Sequence, residues 1–192
     1  MTDYFADSPL ENRLRIRNPK ELKTTEEKLV AERSATILMA ELPDRFNESY
    51  FKSIHKTLFG DIYDFAGSYR TVNMIHPENS VPFAQADFLH AESERIFREL
   101  PDSGQLQSMQ YKEFAQQLVK LSSELNALHP FRDGNGRTIR LFLIVLSLSV
   151  GYLLDYSEVD VQAIVEADKK AFEGDETQLE LLYEKILKKT ID

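Results

Sequence analysis

The chain contains no cysteine. That absence removes disulfide frameworks, thiol nucleophiles and cysteine-based zinc sites together, and it fits a reducing compartment. Basic residues are also in the minority. There are 23 Lys and Arg against 32 Asp and Glu, a formal net charge of −9. A protein that grips nucleic-acid duplexes through their phosphates ordinarily shows a basic face. The balance therefore argues against direct nucleic-acid binding, while leaving room for the local basic patch a nucleotide needs. The plain reading of the acidity is solubility. The opening residues, MTDYFADSPLENRLRIRN, show no apolar stretch behind a basic start, so no secretory signal is read there. The most apolar run, Leu141–Leu154, carries two serines and is too short to span a bilayer. Repeats, low-complexity tracts and Pro/Gly/Ser-rich linkers are missing too. One cytoplasmic domain over residues 1–192, with no membrane contact, is the expectation.

What is present is globular: 42% apolar and 29% charged residues over 192 positions, enough for a sizeable core. The pattern is mainly helical. Apolar residues at helical spacing predict helices over Pro19–Ala40, Asn47–Leu58, Ala84–Leu100, Tyr111–Leu128, Glu158–Phe172 and Thr177–Lys188. The last carries lysines in its final turn, where the helix dipole favours them. Arg137–Val150 is apolar on nearly every face and predicts a central buried helix. Gly67–Phe83 differs. Its extended residues and its prolines predict two short strands, Ser68–Asn73 and Val81–Phe83, forming a hairpin flap on the helical body. The fold class is thus all-α, a bundle around a buried helix with a small β-hairpin flap.

The segment His129–Arg140, HPFRDGNGRTIR, joins two of these helices. Gly134, Asn135 and Gly136 form a turn whose amide N–H groups can converge as an anion nest. The following helix adds its unpaired N–H groups and the positive end of its dipole. Arg137 and Arg140 stand one turn apart and offer two guanidinium forks to phosphates. Asp133 at the lip would weaken anion binding unless a cation such as Mg²⁺ bridged the two. His129 can accept a proton near neutral pH. Nest, carboxylate and base together suggest phosphoryl or nucleotidyl transfer. Taken singly, each feature has an ordinary explanation: a helix-end histidine, a turn, surface arginines. His55, His76 and His90 lack metal-ligand spacing and read as structural or surface residues, and His129 with Asp133 makes only a two-ligand zinc half-site.

The same segment resembles the signature of Fic-domain proteins, H-P-F-x-[D/E]-G-N-G-R-x-x-R, at all nine defined positions. Leu58–Arg70, the lead-in Leu121–Leu128 and Pro9–Ile16 also look like the small stand-alone bacterial members, the Fic toxins. The flap run Met74–Ser80, MIHPENS, departs from the family's usual sequence. The resemblance implies a Fic fold, with an N-terminal helical segment over about 1–45, the Fic core over about 46–155 and C-terminal helices over about 156–192. It implies a protein adenylyltransferase that moves AMP from ATP to a hydroxyl of a target protein. His129 would be the base and Asp133 the Mg²⁺ ligand. Gly134, Asn135 and Gly136 would cradle phosphates, Arg137 and Arg140 would neutralise them, and Phe131 and Arg132 would complete the nucleotide site. The target would add a strand to the flap 67–83. Bacterial type II topoisomerase subunits are the target class implied.

Related Doc kinases carry Lys where this chain has Gly136, so Gly136 favours AMP transfer over phosphorylation. Family members are commonly restrained by a helix with the pattern [S/T]-x-x-x-E-[G/N], whose Glu pairs with the second arginine, here Arg140. Glu11, Glu78 and Glu173 precede Asn or Gly, but Asp7, Met74 and Lys169 stand four residues before them. The expectation is a small antitoxin protein supplying the Glu in trans, with a degenerate motif in the first or last helix as the alternative. A Doc-like kinase, another nucleotide donor and a non-enzymatic binding module of the same fold are the competing functions.

Overall fold

Asparagine side chains start the first two helices. Asn18 accepts from the N–H groups of Lys20 (2.9 Å) and Glu21 (3.2 Å), and Pro19 takes the first helical position, where its missing N–H costs nothing. Helix α1 then runs Pro19–Leu38. Asn47 caps α2, Glu48–Phe59, through the N–H of Tyr50 (2.9 Å). The computed structural model describes residues 10–76 and 81–190. Among these, α3 is Leu89–Glu99, α4 Ser103–Ser108, α5 Tyr111–Leu128, α6 Asn135–Ser149, α7 Val161–Phe172 and α8 Thr177–Ile186. Two short strands, β1 (Tyr152–Leu154) and β2 (Leu187–Lys189), complete the order.

Helix α6 is central. It lies against α2 and α5, while α1 packs on α2, α3 on α5, and α7 and α8 on each other and on α5. Its apolar composition on every face follows from that position. Phe51 of α2, Phe142 of α6 and Phe131 of the α5–α6 loop, each fully buried, meet at the centre with ring centroids 5.3–5.5 Å apart. No helix of the described residues is long and apolar enough to cross a membrane.

The helical body stands as expected, and α5 has the predicted bounds. Four readings are corrected. The sequence predicts a strand over Ser68–Asn73, but the chain bends there. Arg70 N–H donates to Pro130 O (2.8 Å) and Arg70 Nη1 to Val72 O (2.7 Å), so this backbone is tied to the body and to itself. The flap pairs further along, at Ile75 with Pro82, through His76 N–H to Val81 O (2.8 Å) and Phe83 N–H to Met74 O (3.1 Å). Of the MIHPENS run, residues 77–80 lie outside the described residues. The predicted Ala84–Leu100 helix is likewise divided, a single 3-10 turn at Ala86–Phe88 preceding α3.

The C-terminal helix ends at Ile186 instead of Lys188. Leu187–Lys189 pairs antiparallel with Tyr152–Leu154, Leu154 opposite Leu187. Lys185 keeps its place in the last turn of α8, whereas Lys188 and Lys189 fall in the strand, and Lys188 Nζ reaches Glu158 Oε1 at 2.6 Å. Helix α7 begins at Val161, not Glu158, because Asp160 caps it through the N–H of Gln162 (2.7 Å).

Candidate active site

Three fixed points shape the loop between α5 and α6. His129 closes α5 in the left-handed conformation (φ 44°, ψ 58°), where few residues other than glycine are found. Its N–H donates to Leu125 O (3.0 Å) and its carbonyl accepts from Arg70 Nε (2.8 Å). Asn135 clamps the loop across its base. Its Oδ1 accepts from the N–H of Phe131 and its Nδ2 donates to the carbonyl of Phe131, both at 2.8 Å. Gly134 caps α6 at φ +79°, and a Cβ there would stand 2.4 Å from the Phe59 ring. Both backbone and space therefore demand glycine.

Helix α6 then opens on the amides of Asn135, Gly136 and Arg137, which have no acceptor among the described residues. They face a cavity of about 300 Å³ that also takes in His129, Asp133 and Arg140. Its far side comes from elsewhere: His76 and Phe83 of the flap, and Asp168 and Phe172 of α7. Phe83 stacks on the His129 ring (3.9 Å, 17°), and His76 stacks on Phe172 (5.7 Å, 23°), closing the flap against α7.

Burial, with Arg70 and His76 adding to it, pushes the His129 imidazole down to about 4, while the Asn126 carbonyl opposes them. The ring is thus neutral at physiological pH and able to take a proton. Burial raises the Asp133 carboxyl, opposed by Arg137. Asp133 Oδ1 accepts from the N–H of Gly134 (2.7 Å), and its Oδ2 lies 3.7 Å from Arg137 Nη2. No group of three or more His, Asp or Glu that could hold a metal ion stands among the described residues. A single carboxylate beside a phosphate-sized nest fits Mg²⁺, which draws its other ligands from water and substrate phosphates.

The two arginines are unlike. Arg137 is engaged: Nη1 binds Glu26 of α1, whose other oxygen takes the Tyr63 hydroxyl, and the guanidinium lies 4.7 Å over the Phe59 ring. Arg140 instead folds back over Gly136, its Nη1 3.1 Å from where a Cβ would stand. Asp168 faces Arg140. Burial raises the Asp168 carboxyl to about 6 against the pull of Arg140 and of Asn126, whose Nδ2 donates to it at 3.0 Å.

Of the residues named from sequence, His129, Asp133, Gly134, Asn135, Gly136, Arg137 and Arg140 come together around the cavity. Phe131 does not, being 0% exposed and stacked on His55 at 3.8 Å. Arg132 is exposed and also stands outside the lining. Sequence reasoning missed Glu26, Arg70 and Asp168 and left His76, which lines the cavity, as structural or surface, whereas His55 keeps its structural reading. His55 is fully buried. Its Nδ1 accepts from the N–H of Gly67 (2.8 Å), so its Nε2 carries the proton and donates to Asp133 O (2.9 Å). Its place between Phe51 and Phe59 on the apolar stripe of α2 was the available signal. Glu26 and Arg70 had none, because their partners lie 111 and 59 residues away.

Comparison with known proteins bears on the family and the fold. The Fic/DOC family pattern matches residues 45–147. Protein adenylyltransferase VbhT of Bartonella schoenbuchensis is 32% identical over 163 residues, 85% of this chain, and the chain spans only 34% of VbhT. The Sinorhizobium fredii protein named "Probable protein adenylyltransferase y4lH" is 33% identical, covering 90% of this chain and 88% of its own. Among solved structures, the N-terminal Fic domain of a VirB-translocated Bep effector from Bartonella quintana, with bound ADP, superposes at a TM-score of 0.91. It shares 25% identity and covers 98% of this chain and 95% of that one. On the match over residues 45–147 and these relatives, the chain belongs to the Fic/DOC family.

Proposed function

We propose that the chain transfers AMP from ATP to a hydroxyl of a target protein. The observation that carries this reading is the single cavity shared by the His129 ring, the Asp133 carboxylate and the open amides of α6. His129 takes the proton of the target hydroxyl. The hydroxyl oxygen bonds to the α-phosphorus of ATP, and the bond from that phosphorus to the bridging oxygen breaks, releasing pyrophosphate. The amides of Asn135, Gly136 and Arg137 receive phosphate oxygens, and Arg140 supplies positive charge. Mg²⁺ bound at Asp133 would neutralise phosphate charge. Phe131 and the Asn135 side chain act on the loop and not on the nucleotide. The relatives named protein adenylyltransferase, and the ADP bound by the Bartonella quintana domain, support the reading.

Gly136, where the related Doc kinases carry Lys, favours AMP transfer over phosphorylation, and a side chain there would crowd the tip of Arg140. The test is label transfer from α-labelled ATP to protein, lost in His129→Ala. Label arriving only from γ-labelled ATP would sink the reading in favour of a kinase. The ATP-binding subunit of a bacterial type II topoisomerase is the first target to assay. The flap, with Val72, Ile75 and Val81 exposed, is the docking edge for that target.

Restraint by a separate antitoxin is supported by the state of the arginines. The first-helix carboxylate, Glu26, binds Arg137 and not Arg140. An antitoxin carrying the Glu pattern is therefore expected to lower activity when added. If it had no effect while truncation of the last helix raised activity, inhibition would be internal.

A further inference from the structure

We propose that Arg70 is a positioning residue that fixes His129 and the flap to one another through a single buried guanidinium. The proposal rests on the reading of His129 as the base. Arg70 is 5% exposed, and its donors fan out to four carbonyls on two separate parts of the chain. Nε donates to His129 O (2.8 Å) and Nη2 to Leu128 O (3.2 Å), both at the end of α5. Nη1 donates to Val72 O (2.7 Å) and Nη2 also to Ala84 O (2.5 Å), one on each arm of the flap. Its backbone N–H takes a fifth carbonyl, Pro130 O (2.8 Å).

The last carbonyls of a helix have no intrahelical partner. Here they are answered by a cation, which suits the negative end of the α5 dipole. The consequence for His129 is specific. Its left-handed backbone is uncommon for a histidine, and the carbonyl it turns inward is the one Arg70 Nε holds. The flap is set by the same group. Phe83, whose ring stacks on His129 at 3.9 Å, directly precedes Ala84, whose carbonyl Arg70 also holds. Base and stacking partner thus share one anchor. A planar fork of five donors can span these carbonyls, whereas a lysine offers its donors from one point.

The test is Arg70→Lys, measured three ways. Steady-state transfer from α-labelled ATP is expected to lose about 100-fold in kcat, the scale of an ångström's displacement of a reacting group. KM for ATP should stay within about threefold, since the nest and Arg140 are untouched. In carbon–proton NMR spectra of the histidine rings, the His129 signals, assigned with His129→Ala, should lose the upfield displacement imposed by Phe83. Those of His55, buried on Phe131, should stay in place as a control for the fold. Retention of both kcat and the His129 displacement would overturn the proposal. So would His55 signals that move together with those of His129, because Arg70 would then be a structural pin only. Should Arg70→Lys fail to fold, Arg70→Gln takes its place in the same measurements, and failure of both overturns the proposal. Absence of AMP transfer by the unsubstituted protein would defeat the reading of the reaction instead, and the ring signals would still decide whether Arg70 places His129.

Discussion

Gly134 and Gly136 stand two positions apart and answer opposite demands. Gly134 combines φ +79° with a Phe59 ring 2.4 Å from any Cβ, so Gly134→Ala must strain the backbone and displace the ring. A loss of about 3 kcal/mol is expected, read as a lower urea midpoint. Gly136 lies in the helix, and a methyl there meets only the tip of Arg140 at 3.1 Å. Gly136→Ala should raise stability by roughly 0.5 kcal/mol through helix propensity while weakening ATP binding. Stability and affinity moving together would refute that assignment. Asp168 offers a pH-dependent case. Its folded-state value of about 6 lies above the ordinary 3.8, so its ionised form costs stability above pH 6. The cost is relieved as pH falls from about 6 towards 3.8. Asp168→Asn, which can keep the bond from Asn126, should therefore be more stable than the parent by about 1–2 kcal/mol at pH 8 and equal to it at pH 4. Denaturation curves at the two pH values decide this.

At the scale of elements, the tie between α1 and α6 runs through charge. Glu26 binds both Tyr63 and Arg137, joining the first helix to the one whose opening amides face the cavity. Glu26→Gln keeps the shape but removes the charge opposite a half-buried guanidinium. It should cost about 2 kcal/mol in chemical denaturation and leave Arg137 able to turn towards the cavity. Elements with a dominant internal cause were legible in the sequence. Helix α5 shows a clean stripe, and the Glu113 carboxylate accepts from the N–H of Gln110 (2.9 Å) at its start, so its bounds were read correctly. The flap and the C-terminus were not, because distant partners decide them. Residues 68–73 have strand-like composition, yet the Arg70 side chain and Pro130 claim their backbone. Leu187–Lys189 continues a helical pattern until Tyr152–Leu154 offers a pairing edge. The same divide runs through the site. Seven cavity residues of the HPFRDGNGRTIR segment were visible locally, though Phe131 and Arg132 were misassigned to the site, whereas Glu26, Arg70 and Asp168 enter only through the fold.

At the scale of the molecule, binding and stability are linked. A ligand held by the folded chain alone at 100 times its Kd adds about 2.7 kcal/mol, which in a domain of this size raises Tm by about 5–10 °C. ATP with Mg²⁺ should produce a shift of that order in a thermal melt. Chelating the metal should remove most of it, and Asp133→Ala should make the shift indifferent to the metal. An equal shift with and without Mg²⁺ in the parent protein would contradict the role proposed for Asp133.

Phe131 gives these observations a further meaning. It sits two residues after His129 and two before Asp133, yet its ring lies in the centre of the hydrophobic core, stacked on His55 and beside Phe51. The loop is thus pinned at its midpoint to the best-packed part of the molecule. Reshaping it would pull that ring out of the core. Control of such a site works by occupancy, by something that fills the cavity or holds Arg140, and not by reshaping the loop. A regulator of this chain would act as a plug, in competition with ATP.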